Sequence, residues 1–369
     1  MKKLAIIGAS YLQLPLVLKA KEMGIETHCF AWEEGSVCKE IADFFYPISI
    51  LDKEQILEVC ERNDMDGITS IASDSAVPTV SFIAQKMALI GNDFKDSIAS
   101  TDKFQMRKRF SESFVASPKF CIAESDYSIE DFRFPVIVKP TDRSGSRGVK
   151  KVENRGDVQV AVQRAKNESF TNKAIIEEFI SGSEVSVESI SWQGQHYILG
   201  ITDKITTGEP YFVELEHHQP SSLSTEIQDK IKIETQTALT ALNIKYGASH
   251  SEFKITDKGE VYVIEVGARM GGDFIGSHLV KLSTGYDFLK GVIDIALGNF
   301  DEPKISEHKF SGVYFLSKET ESLLSMIHHP ENYKEIIEAE ITDNKLHNIQ
   351  CSADRSGYFI YQAEKRFKI

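Results

Sequence analysis

The first hundred residues alternate short apolar runs with amphipathic stretches. "KLAIIG", residues 3–8, reads as a buried strand, and "SYLQLPLVLKAKEMG" keeps helical spacing up to a glycine stop at Gly24. "ETHCFA" is a second strand, and "DGITSIAS" and "MALIG" follow helical stretches in the same manner. This alternation predicts an α/β domain with a parallel sheet over residues 1–95. The turn "GASYLQ" lacks the G-x-G-x-x-G spacing of a dinucleotide site, so the domain is expected to be a mononucleotide-type scaffold.

From residue 96 the texture changes. "STDKFQMRKRFSES" is a capped basic helix, "FPVIVKP" a strand, "DVQVAVQRAKNES" a helix and "KAIIEEFI" another strand. The strand-like segments "EVSVESISW", "HYILGITDKIT", "SHSEFKIT" and "EVYVIEVG" then predict an antiparallel sheet, giving an α+β second domain over 96–300 with a lid subdomain at about 115–180. Residues 301–369 return to short mixed elements and are expected to form a small C-terminal subdomain.

A chain of 369 residues has room for more than one core. Its formal charge of -13 argues against a nucleic-acid backbone or an anionic membrane as partner. No apolar run approaches the roughly 18 residues of a spanning helix, and the amino terminus leads straight into a strand, so a cytoplasmic protein is expected. Cys29, Cys38, Cys60, Cys121 and Cys351 are scattered without a C-x-x-C pair, which fits reduced thiols. The commonest symmetric assembly, a homodimer, is the oligomer to expect.

Candidate chemistry begins at "FPVIVKPTDRSGSRGV", where a strand ends in Lys139 and enters a loop of small and cationic residues. Ser144, Gly145, Ser146 and Gly148 let backbone amides converge on an anion, and Arg143 and Arg147 add charge. A Walker-type loop is excluded, because the chain contains no Gly-Lys dipeptide. Farther on, "AIIEEFISGSEVSVE" offers exposed backbone at Glu178 to Ile180 for an adenine ring and a carboxylate for ribose hydroxyls; an ordinary hairpin is the alternative. "HSEFKITDKGEVYVIEVGAR" reads as a hairpin around "DKG". In one register Glu252 and Glu265 share a face, an arrangement that calls for a cation between them. Oxygen-only ligands suit magnesium or manganese. Arg269 follows four residues after Glu265, beside this pair or paired to Asp273.

The order of these features resembles the ATP-grasp superfamily over roughly residues 1–300: "TDKFQMRK", "VIVKPTDRSGSRGV", "IIEEFISGSEVSVE", and the "HSEF" to "EVGAR" carboxylate pair. The resemblance implies an ATP-grasp fold behind a Rossmann-like domain of biotin-carboxylase type. It implies that Lys103 and Lys139 bind ATP phosphates, that loop 143–148 closes over them, and that Glu177, Glu178, Phe179 and Ile180 hold adenine and Glu184 the ribose. Glu252 and Glu265 would ligate Mg2+ or Mn2+. Family members commonly carry E-x-N-x-R here, whereas this chain has Gly267 in place of the Asn, which leaves a second metal short of a ligand.

Within the superfamily, "ITDKITTGEPYFVELEHHQPS" and "EVGARMGGD" look most like the L-amino-acid ligases that make dipeptides. By that likeness Lys204 lies near the γ-phosphate, Glu214 and either His217 or His218 near an amino acid, and Arg269 on the carboxylate or its acylphosphate. The implied activity joins a small-molecule carboxylate to an amine, releasing ADP and phosphate. The alternatives are a biotin-carboxylase-like or purine-pathway enzyme acting on bicarbonate or formate, and a nucleotide-binding module without catalysis.

Overall fold

The computed structural model describes residues 1–124, 127–145 and 147–369. Among these, the strands form three sheets. The first contains β1 (Lys3–Ile7), β2 (Glu26–Phe30), β3 (Phe44–Tyr46) and β4 (Gly67–Thr69), parallel and in the order β3-β2-β1-β4. Successive side chains of β1 go to opposite faces. Leu4 and Ile6 pack with Leu16 and Val17 of the helix Leu14–Glu22, and Ala5 and Ile7 with Ile56 and Ile83 of the helices Lys53–Arg62 and Val77–Lys86. Both faces are covered, which is why the strand reads as an unbroken apolar run. "MALIG" is not a strand. Its residues close the preceding helix: Ala88 takes a left-handed φ of 55°, and Leu89 N–H bonds to the Ala84 carbonyl at 2.8 Å.

The second sheet is a small antiparallel one of β5 (Phe120–Ile122), β6 (Val136–Pro140), β7 (Lys150–Val152) and β8 (Ala174–Glu178), ordered β5-β8-β6-β7. The helix Val158–Glu168 covers it, setting Val158, Ala161, Val162 and Ala165 on Val136, Val138 and Ile176.

The third sheet is antiparallel and larger. It comprises β9 (Ser183–Trp192), β10 (Gln195–Thr206), β11 (Glu214–Gln219), β12 (Gly247–Ile255), β13 (Val261–Gly267), β14 (Phe310–Leu316), β15 (Ile336–Ile341) and β16 (Gly357–Ala363), in the order β13-β12-β9-β10-β11-β14-β16-β15. Residues after 300 therefore extend this sheet: β14 pairs with β11, whose edge would otherwise carry unmatched backbone groups. On one face Val185, Val187, Phe253 and Val263 pack under Ile231, Ala238 and Leu239 of the helix Thr225–Ala241. The alternate positions, Glu184, Glu188, Lys204, His250 and Glu252, are polar and look the other way. Among the described residues no helix is long and apolar enough to cross a membrane.

Two junctions position these sheets. Ile71, just past β4, makes a parallel bridge to Met270, and Ala72 N–H bonds to the Met270 carbonyl at 3.1 Å, so the first sheet is hydrogen-bonded to the segment that follows β13. The crossing from β8 to β9 passes Gly182, where an added Cβ would lie 1.9 Å from the Ile255 carbonyl oxygen. Gly182→Ala is expected to cost about 1–3 kcal/mol as an overpacking change and to lower the melting temperature by several degrees in a thermal scan. An unchanged melting temperature would show that the crossing relaxes freely.

Candidate functional site

The helix Lys103–Glu112 starts where the Asp102 side chain accepts from Gln105 N–H at 2.8 Å. Lys103 and Arg107 are one turn apart and share its inner face. Arg107 is fully buried, and its partner is Glu177 on β8: the Arg107 Nε lies 2.9 Å from Glu177 Oε1, and Lys139 Nζ, from β6, lies 2.7 Å from Oε2. Burial would raise the Glu177 pKa, but Arg107 and Lys139 hold it below the usual carboxylate range. For Lys139 burial dominates and, with Arg107 and Lys103 nearby, lowers the ammonium pKa despite Glu177. Lys103 moves the other way, since Glu265, Asp74 and Glu177 outweigh its burial. One carboxylate thus serves two buried cations, and the imbalance at Lys139 suits an incoming anion.

Below this group lies the predicted carboxylate pair. Glu252 and Glu265 are directly opposite in the β12–β13 register, followed by a bulge. Each is answered by a lysine: Glu265 by Lys103 Nζ at 2.9 Å and Glu252 by Lys204 Nζ at 2.7 Å. Lys204 also reaches Glu214 at 3.3 Å and Glu184 at 3.6 Å, while Lys254 Nζ stands 3.1 Å from Glu184. These carboxylates raise the Lys204 pKa well above its ordinary value against the effect of burial. Likewise Glu252 is held well below its range by Lys204 and His250, although burial opposes this. Behind Glu252, His250 Nε2 lies 3.4 Å from its Oε1, and His250 Nδ1 is bonded to the buried Glu188.

The Arg269 guanidinium is gripped by Asp74, Nε to Oδ1 and NH2 to Oδ2, both at 2.9 Å, and not by Asp273. Asp273 instead pairs with Arg355 of the C-terminal segment at 2.8 Å, and Arg355 also donates to the Glu214 carbonyl and carboxylate. At Gly267 a Cβ would come within 2.7 Å of Asp74 Oδ1 and 3.1 Å of the Arg269 guanidinium carbon.

Lys103, Lys139, Ser144, Gly145, Glu177, Glu178, Phe179, Ile180, Glu184, Lys204, Glu214, Glu252, Glu265 and Arg269 all line one cleft of about 250 Å³. Gly148 does not line it; its left-handed φ of 73° sets the loop against Pro140. Ser146 lies outside the described residues. Arg143 also lines the cleft; its guanidinium rests on the Phe170 ring, 3.6 Å from the centroid, and its carbonyl accepts from Lys103 Nζ at 2.7 Å. Strand alternation separates the two histidines. His217 pairs with Lys204 across β10–β11 and lies buried 3.9 Å from Asp273, beneath the cleft and not lining it. His218 faces the opposite side, its ring nitrogens held by Tyr361 and Glu216, and does not join the group. Sequence reasoning passed over Arg107, which its place four residues after Lys103 on a helix could have flagged. It also passed over Asp74 and His250, for which no local signal exists; Glu188, visible at the end of "SGSEVSVE", is buried and holds His250 and the Gly271 N–H.

The residues present fit a hard divalent cation shared with an anion. Glu252 and Glu265 offer oxygen ligands, and among the described residues no group of three or more acidic, histidine or cysteine side chains is set to hold an ion alone. Such an ion would complete its shell with phosphate oxygens and water, as magnesium does.

A parallel nucleotide-type sheet, a small antiparallel sheet and a larger one closing on a cleft of lysines and glutamates define the ATP-grasp architecture. Residues 132–277 match the family model of the ATP-grasp domain. The alanine–anticapsin ligase of Bacillus subtilis (strain 168) is 26% identical over 295 residues, which are 70% of this chain and 62% of that protein. The chain thus spans less than two thirds of that relative. An L-amino acid ligase from Bacillus licheniformis superposes with a TM-score of 0.82 at 23% identity, over 99% of this chain and 94% of the other. N5-carboxyaminoimidazole synthetase from Staphylococcus aureus, solved in complex with ADP, gives 0.79 at 15% identity, over 99% and 94%.

Glu177→Ala leaves Arg107 and Lys139 buried without their shared counter-charge, and a cost of about 3–5 kcal/mol is expected. Lys139→Ala leaves the Glu177–Arg107 pair whole and should cost less. Urea denaturation of both variants checks the order; the reverse order would mean that Lys139 carries the pair.

Proposed function

We propose that the chain is an ATP-dependent carboxylate–amine ligase that forms an acylphosphate from a carboxylate, an amino acid by the likeness to its relatives, and joins it to an amine with release of ADP and phosphate. The observation that carries this reading is the opposed pair Glu252 and Glu265 with a buried lysine on each, below the cation excess at Lys139. Two anions, a nucleotide phosphate and a carboxylate, repel each other, and a site that brings them together needs both cations and a metal-holding pair. Magnesium or manganese held by Glu252 and Glu265 would supply further charge neutralisation at the phosphates.

The remaining tasks fall to this chain's residues. Lys103 and Lys139 meet phosphate oxygens, and loop 143–148 covers them. Adenine rests against Phe179 and Ile180 with backbone contacts from Glu178, and Glu184 takes the ribose. Glu177 acts on the nucleotide through Lys139, because its carboxylate is committed to two cations. Lys204 serves the transferred phosphoryl group. Glu214, with His217 beneath it, faces the amino-acid substrate, and Arg269 holds the carboxylate or acylphosphate. We place the protein in the cytoplasm, a reading supported by its free cysteines.

Phosphate release with pairs of L-amino acids and MgATP, with product masses, tests the reaction. ADP and phosphate are expected only when carboxylate and amine substrates are both present. Formation of AMP and pyrophosphate would overturn the acylphosphate route. Equal turnover by wild type and Glu265→Ala would reduce the chain to a binding module.

A further inference from the structure

Arg269 and Asp74 are 195 positions apart in sequence and stand in segments that follow strands of different sheets, yet they meet in a two-bond contact inside the cleft. Asp74 begins a short turn ahead of the helix Val77–Lys86 in the N-terminal domain. The bridge of Ile71 to Met270 brings that turn to the end of β13, and Gln13 Nε2 steadies it by bonding to the Ile71 carbonyl at 2.7 Å. The approach depends on Gly267, because a Cβ there would stand 2.7 Å from Asp74 Oδ1. The residue that departs from E-x-N-x-R is thus the one that makes room for an acidic group from another domain.

We infer that Asp74 is a positioning residue for Arg269, so that the N-terminal domain contributes directly to the reacting centre; this rests on the ligase reading above. A guanidinium has five N–H donors in a fixed plane. Three are committed: Nε and one on NH2 to Asp74, and one on NH1 to the Met270 carbonyl at 3.3 Å. The remaining two, one on each terminal nitrogen, form the outer edge of the fork. That edge matches two oxygens of a carboxylate or phosphoryl group. Without Asp74 the side chain regains its rotamers, and the edge loses its fixed direction. Asp74 touches no reacting atom in this scheme; it acts through Arg269.

The test uses Asp74→Asn, Asp74→Ala, Arg269→Ala and Asp74→Ala/Arg269→Ala in the full chain, with the amino-acid pair found by phosphate release. Asp74→Asn should lower kcat by at least about tenfold, the usual scale for a mispositioned group, while KM for ATP stays within about twofold. The double variant should be no slower than Arg269→Ala, since both changes remove one unit. A loss that multiplies in the double variant, or an Asp74→Asn enzyme with kcat near wild type, overturns the inference. Should no amino-acid pair turn over in wild type, the ligase reading fails by itself. The inference is then judged by binding of MgADP with aluminium fluoride as the phosphoryl mimic. Weakening of that capture by at least about tenfold in Asp74→Asn, with MgADP affinity held, supports it; equal capture overturns it.

Discussion

Two carboxylates set directly opposite each other on neighbouring strands repel, and the cleft is organised around that repulsion. Lys103 comes from a helix and Lys204 from β10, so the neutralising charges for Glu265 and Glu252 arrive from separate elements. Lys204 is itself shared among three glutamates, and Glu252 also leans on His250. Glu252, Lys204 and Lys103 are each held by more than one neighbour, and Glu265 leans on Lys103, so these charges can be partly released when a cation and an anion enter together. A site built from single closed ion pairs would have to break them first.

The second charge group, Arg107, Glu177 and Lys139, works differently because it is nearly sealed from water. Burial makes an unmatched charge costly there, so Glu177 is pinned between its two partners and fixes the end of β6 against β8. The result is a rigid lysine at the mouth of the small sheet and an exchangeable set of charges on the floor below.

Much of this was legible in the sequence where periodicity and chemistry agreed. β9 and β12 alternate apolar and polar positions, and the polar ones carry Glu184 and Glu252, so strand assignment and site assignment reinforced each other; in β13 Glu265 has the parity of the buried Val261 and Val263, and the bulge beside it turns it to the face of Glu252. β11, "ELEHHQ", was missed because ion pairs and hydrogen bonds, rather than apolar side chains, occupy its inward positions. "MALIG" misled because an apolar run can close a helix as well as build a strand. The helix Thr225–Ala241 was overlooked between polar stretches. Asp74 could not be read at all: only the meeting of two sheets gives it a partner.

The bridge between Ile71 and Met270 also has a mechanical meaning. It sits at the end of β13, and with the Asp74–Arg269 contact it makes the parallel sheet and the large sheet one body around the floor of the cleft. The small sheet is fastened to that body by covalent crossings and by charge contacts such as Lys103 with the Arg143 carbonyl, a bond that a phosphate oxygen would compete for. The floor is thus held by direct bonds between the two larger sheets, and a phosphate that took the Lys103 bond would relieve one contact to the small sheet while leaving the bonds of the floor in place.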